Sequence, residues 1–75
     1  MNEEQAAQLL LQAYNQAAAT RGQATSIHLF GIRYAEDLAG LSLAEILARA
    51  RMPRSYATEI RKGMKLAQYV ELRDS

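Results

Sequence analysis

The stretch Leu41–Gly63, LSLAEILARARMPRSYATEIRKG, decides the fold. Ser42 followed three residues later by Glu45 is a capping-box pattern: the hydroxyl accepts an orphan amide of the first helical turn and the carboxylate reaches back. The spacing predicts a helix from about Leu43, with Leu43, Ile46, Leu47 and Ala50 on one face of a period-3.6 helix. Proline lacks a backbone donor and pushes its predecessor out of helical geometry. Arg51-Met52-Pro53 therefore ends that helix and opens a second, running from Pro53 to about Lys62. Tyr56, Ala57 and Ile60 face inward on it and leave Arg54, Ser55, Thr58, Glu59, Arg61 and Lys62 outside. Gly63 stands where helices commonly stop in a left-handed residue.

The elements Gly40-Leu41-Ser42, Glu45-Ile46, Arg49-Ala50, Arg54-Ser55-Tyr56, Ile60 and Gly63 together resemble the helix-turn-helix of the lambda-repressor-like (XRE-type) DNA-binding domains. The resemblance covers about a third of the chain, and just under half when Phe30–Ala39 is taken as the helix that precedes the pair. Two positions depart from the family's pattern, which usually has a small residue in place of Leu47 and glycine in place of Arg51. A non-glycine residue in a left-handed conformation costs roughly 1 kcal/mol. Ala57 stands where the family often carries something larger, so an exchange of volume between Leu47 and Ala57 is expected if the two side chains touch.

The resemblance implies that helix 53–62 enters the major groove with its first turn foremost. Arg54 would then make a bidentate contact to guanine, while Ser55 and Thr58 read polar base edges or a thymine methyl. Glu59 would accept from cytosine, or else pair with Lys62. Arg61, Lys62, Lys65, Arg49 and Arg51 would meet phosphates and fix register. The implied partner is double-stranded DNA, the implied role that of a small prokaryotic transcriptional regulator, and two-fold operators imply a homodimer.

Composition narrows the alternatives. Seventy-five residues make one domain. There is no cysteine and His28 is the single histidine, so neither a disulfide nor a metal centre is expected, and no cofactor. No apolar run approaches the roughly 20 residues a membrane span needs, and the acidic start is unlike a signal peptide, so a cytoplasmic protein without membrane contact is expected. An enzyme is not expected either: the sequence has no phosphate-binding glycine loop and no nucleophile with a base beside it.

The net charge of +1 hides an asymmetry. Residues 1–40 hold two basic against four acidic residues, a net −2, and residues 41–75 hold seven against four, a net +3. The bias peaks where Arg49, Arg51, Arg54, Arg61, Lys62 and Lys65 face only Glu59. A basic segment on the helix pair is the footprint of phosphate binding, although a solvated helix face carries the same charges. The rival function is a helical protein-interaction or oligomerisation module, since helix-turn-helix packing serves both.

Asn2 and Gln5 form a second capping pattern, opening a helix from Glu3 to about Thr20. Leu10, Tyr14 and Ala17, widened by Ala6, Leu9, Leu11 and Ala13, make its apolar face broad enough to suggest a dimer interface. Arg21–Ser26 reads as the connector, with Gly22 as a helix stop and Ser26 as the next cap. Ile27–Ala39 fits a helix through Ile27, Phe30, Tyr34 and Leu38, although His28, Phe30, Ile32 and Tyr34 alternate as in a strand. Gly31 inside it implies close backbone approach or a bend, and Gly40 ends it. Residues 64–73 fit either a short helix or a β-prone strand at Tyr69–Arg73, and Asp74-Ser75 a frayed tail. The expected fold is all-α, with about four helices around a central helix-turn-helix. It divides into an N-terminal helix (1–21), a trihelical core (27–63) and a C-terminal segment (64–75).

Overall fold

A computed structural model describes residues 1–18 and 22–73. Five helices follow one another: α1 (Glu3–Ala18), α2 (Gln23–Arg33), α3 (Ala35–Leu38), α4 (Leu43–Arg49) and α5 (Tyr56–Leu66). The fold is all-α, and the strand considered for Tyr69–Arg73 does not form among the described residues. A strand there would leave its ladder unpaired within one chain, and residues 70–73 instead lie outside any regular element. The expected ends of the first helix near Thr20, the connector residue Arg21 and the tail Asp74-Ser75 fall outside the described residues.

The capping pattern of Asn2 and Gln5 is realised in both directions. The Asn2 amide donates to Gln5 Oε1 at 3.0 Å and the Gln5 amide to Asn2 Oδ1 at 2.8 Å. The helix so begun turns Ala6, Ala7 and Leu10 into the core, where α1 packs on α2 and α4. Alanines at the contact let the helices approach closely. The stripe read as broad enough for a dimer is thus largely taken up inside the chain, with Leu9 and Tyr14 packed against the same core.

The next segment begins earlier than Ser26. α2 starts at Gln23, with Gly22 at the N-cap position, and Ser26 is buried within the helix, its hydroxyl donating back to the Gln23 carbonyl at 2.6 Å. A serine hydroxyl can satisfy itself on the preceding turn as well as cap, so the residue type alone did not fix its place. Nor do residues 27–39 form one helix. Tyr34 leaves helical geometry (φ −110°, ψ 22°) and separates α2 from the single turn of α3, which packs on α5 and brings Leu38 into the core. Gly40, at φ +87°, then reverses the chain toward α4.

In the central pair Ser42 Oγ accepts the Glu45 amide at 3.2 Å, as the capping pattern requires. The reciprocal half comes from elsewhere: the Ser42 amide donates to Glu3 Oε2 of α1 at 3.0 Å. α4 ends in a Schellman motif, with the Met52 amide on the Leu47 carbonyl (2.9 Å) and the Arg51 amide on Ala48 (3.1 Å). Arg51 occupies the left-handed position at φ 58° that glycine usually fills. Pro53, Arg54 and Ser55 lead in by i to i+3 bonds to Tyr56, Ala57 and Thr58, so the α-helix proper starts at Tyr56, three residues later than expected.

At its other end α5 runs through Gly63 to Leu66. Gly63 is buried and opposes Gly31 of α2, so the missing Cβ serves close packing rather than termination. A Cβ on Gly31 would come within 3.0 Å of the Ile60 carbonyl, and one on Gly63 equally close to the His28 carbonyl. The close approach implied by Gly31 is therefore present, with α5 as the neighbour. Leu47 and Ala57 are both buried in the one core that joins all five helices. No helix among the described residues is long and apolar enough to cross a membrane.

Candidate nucleic-acid interface

α5 rests on α2 along its inner side through Ala57, Ile60 and Gly63. Its first turn is held by Tyr56, whose ring lies 6.3 Å from that of Tyr14 on α1. A hydrogen bond between the two hydroxyl groups raises the Tyr14 pKa above its ordinary value. The helix-turn-helix is thus clamped from behind by both α1 and α2, which leaves the opposite face of α5 to solvent.

Ser55 already has helical torsions (φ −59°, ψ −23°), which carries the helical phase back to Arg54. At 3.6 residues per turn, Arg54, Thr58, Arg61 and Lys65 then fall on one stripe, spaced four, three and four apart, and all four are exposed. Ser55 and Lys62 flank the stripe on one side. Arg51, also exposed, stands in the turn before it. Among the described residues no ion pair engages Arg51, Arg54, Arg61 or Lys65.

The other three charged candidates have partners already. Glu59 accepts from His28 Nε2 of α2 and from Lys62 Nζ at 3.4 Å. The His28 hydrogen bond is the main cause that holds the Glu59 carboxyl below its ordinary value. Of the two roles read for Glu59, pairing with Lys62 is the one present. Arg49 donates to Glu4 Oε2 of α1 at 2.7 Å and to Glu45 Oε1 of its own helix at 2.9 Å, and these bonds raise its pKa. Its guanidinium joins α1 to α4 and, unlike the cations of the stripe, is already paired with carboxylates.

Glu3, Glu4 and His28 were not singled out by the sequence as parts of this site, yet they set its shape. Glu3 caps the amide of Ser42, which also holds the Glu3 carboxyl below its ordinary pKa. Glu4 draws Arg49 back toward α1, and His28 draws Glu59 toward α2. These carboxylates are thus engaged elsewhere, and the outermost stripe of α5, Arg54, Thr58, Arg61 and Lys65, carries no acidic residue. Three acidic or imidazole side chains do not converge anywhere among the described residues. An open depression of about 590 Å³ lies between α1 and α2, bordered by Leu9, Ala13, Leu29, Phe30 and Tyr34, away from the basic stripe.

An exposed cationic helix placed after a tight turn and braced by the helices behind it is the geometry a helix-turn-helix requires. No curated protein and no solved structure matches the chain. A family model described as an HTH-like domain does match, over residues 2–73, nearly the full length and all five helices. The chain belongs to the HTH-like domain family.

Proposed function

We propose that the protein binds double-stranded DNA in a sequence-specific way, as a small transcriptional regulator of lambda-repressor-like design, by seating the Pro53–Lys65 segment in the major groove. The observation that carries this reading is the stripe Arg54, Thr58, Arg61 and Lys65, exposed and free of carboxylate partners among the described residues. Arg54 and Ser55 stand in the first turn, where a groove-seated helix meets base edges. Arg54 recognises guanine, and Ser55 and Thr58 read polar edges or a thymine methyl. Arg61, Lys65, Arg51 and Lys62 contact phosphates and set the register. Arg49 supports the turn from within its ion pairs, and Glu59 orients Lys62.

A two-fold operator read by two copies completes the proposal. Selection of bound duplexes from a random pool tests it: a two-fold symmetric preferred site is expected. Arg54→Ala should relax the preference at one base pair per half-site, costing roughly 1–3 kcal/mol there. A pool that emerges without any preferred sequence would overturn base readout.

A further inference from the structure

We propose that residues 71–73 are the self-association surface of the protein, pairing antiparallel with the same residues of a second copy about a two-fold axis at Leu72. The proposal rests on the dimeric DNA-binding reading for its purpose, because it names the contact that presents two copies of α5 together. It does not rest on that reading for its test.

On α1, Ala6, Ala7 and Leu10 are buried, Leu9 and Tyr14 pack half-buried against the core, and Leu11 is 36% exposed. The exposed large hydrophobics of the second half of the chain lie instead just past the basic stripe: Leu66 is 46% exposed, Tyr69 76% and Val70 43%. α5 ends at Leu66, a turn spans 67–69, and 70–73 follow in neither helix nor turn. Val70 still donates to the Leu66 carbonyl, but among the described residues the amides of Glu71, Leu72 and Arg73 have no backbone acceptor. Tyr-Val-Glu-Leu-Arg is a β-prone run, and open amides on such a run are a template for strand pairing. Val70 and Leu72 border a depression shared with Ile32 of α2, and Leu72 is half-buried, so one face already leans on its own domain.

Charge selects the occupant and the register. Centred on Leu72, two antiparallel copies set Glu71 opposite the second copy's Arg73 and Arg73 opposite its Glu71. Centring on Glu71 would oppose two carboxylates, and centring on Arg73 two guanidinium groups. A second copy supplies the matching sequence by construction, as an isologous contact requires. Two short strands alone are marginal in water, so burial of Leu66, Tyr69 and Val70 must support the pairing.

Sedimentation equilibrium of the full chain without DNA tests this. The wild type should show a concentration-dependent dimer. Glu71→Arg and Arg73→Glu should each raise its dissociation constant about tenfold or more, since both reverse two cross-strand pairs. An equimolar mixture of the two variants should associate again, and so should the double variant, because opposite charges then face each other at both positions. Helical content by circular dichroism should be unchanged, as neither position lies in a helix. A wild type monomeric throughout, a dimer indifferent to both reversals, or no recovery on mixing would overturn the proposal. Loss of DNA binding alone would leave it standing.

Discussion

Gly31 of α2 and Gly63 of α5 meet backbone to backbone: a Cβ built on either would lie 3.1 Å from the Cα of the other. The atoms in closest conflict are the carbonyl oxygens of Ile60 and His28, which belong to helices and cannot swing aside as a flexible side chain would. Alanine for glycine gains about 1 kcal/mol of helix propensity. Overpacking against rigid backbone costs about 1–3 kcal/mol or more, and the second effect wins. Gly31→Ala and Gly63→Ala should each lower the melting temperature, by roughly 4–8 °C per kcal/mol lost. A rise in Tm for either would show that the crossing is loose.

Arg51 presents the opposite case. Its φ of 58° is left-handed, and nothing in the Schellman motif needs its side chain. Arg51→Gly removes roughly 1 kcal/mol of strain and returns part of it through a more flexible unfolded chain, so stability should rise by a few tenths to about 1 kcal/mol. If Arg51 meets phosphate, the same variant weakens DNA binding and reduces the salt slope by about one contact. Denaturant unfolding and DNA titration should therefore move in opposite directions.

Acid should act through Glu59. Its carboxyl is held below the ordinary value of 4.5, first by the His28 hydrogen bond and further by Lys62. A depressed folded-state pKa contributes stability that is complete above the unfolded value and is lost as pH falls through the folded one. Glu59→Gln should thus melt below the wild type near neutral pH, with the gap closing as the pH falls below the ordinary carboxyl value and through the lowered folded-state one. A gap that persists unchanged at the acid end would mean that the ion pair is not its source.

What the sequence made legible was what neighbours in the chain decide together. The Asn2–Gln5 caps, the Ser42–Glu45 hydrogen bond, the left-handed turn at Arg51 and the break at Pro53 all involve residues a few positions apart. Gly31 announced a close approach without naming Gly63, which itself read as a helix stop because glycine ends helices and permits crossings equally well. Ser26 was ambiguous in the same way. The basic stripe was visible in outline, but its division into free and engaged cations depends on contacts such as Glu4–Arg49 and His28–Glu59, 45 and 31 residues apart, which no local pattern encodes. The burial of the α1 stripe likewise follows from where α2 and α4 lie.

That division gives the central prediction its internal control. Arg61→Ala and Lys65→Ala remove cations that no carboxylate engages among the described residues, whereas Arg49→Ala removes one already bonded to Glu4 and Glu45. The first two should each flatten the dependence of log K on log salt by about 0.9, the share of one phosphate on duplex DNA. Arg49→Ala should lower thermal stability and leave the slope of the folded protein unchanged.

The most direct measurement is therefore fluorescence anisotropy of a random duplex titrated with the wild-type chain over a series of salt concentrations. The account predicts binding whose log K falls linearly with log salt, with a slope of about −3 to −4 for the phosphate contacts of Arg51, Arg61, Lys62 and Lys65 at about −0.9 each. Absent binding, or binding with a slope near zero, would contradict it and assign the helix pair to protein interaction.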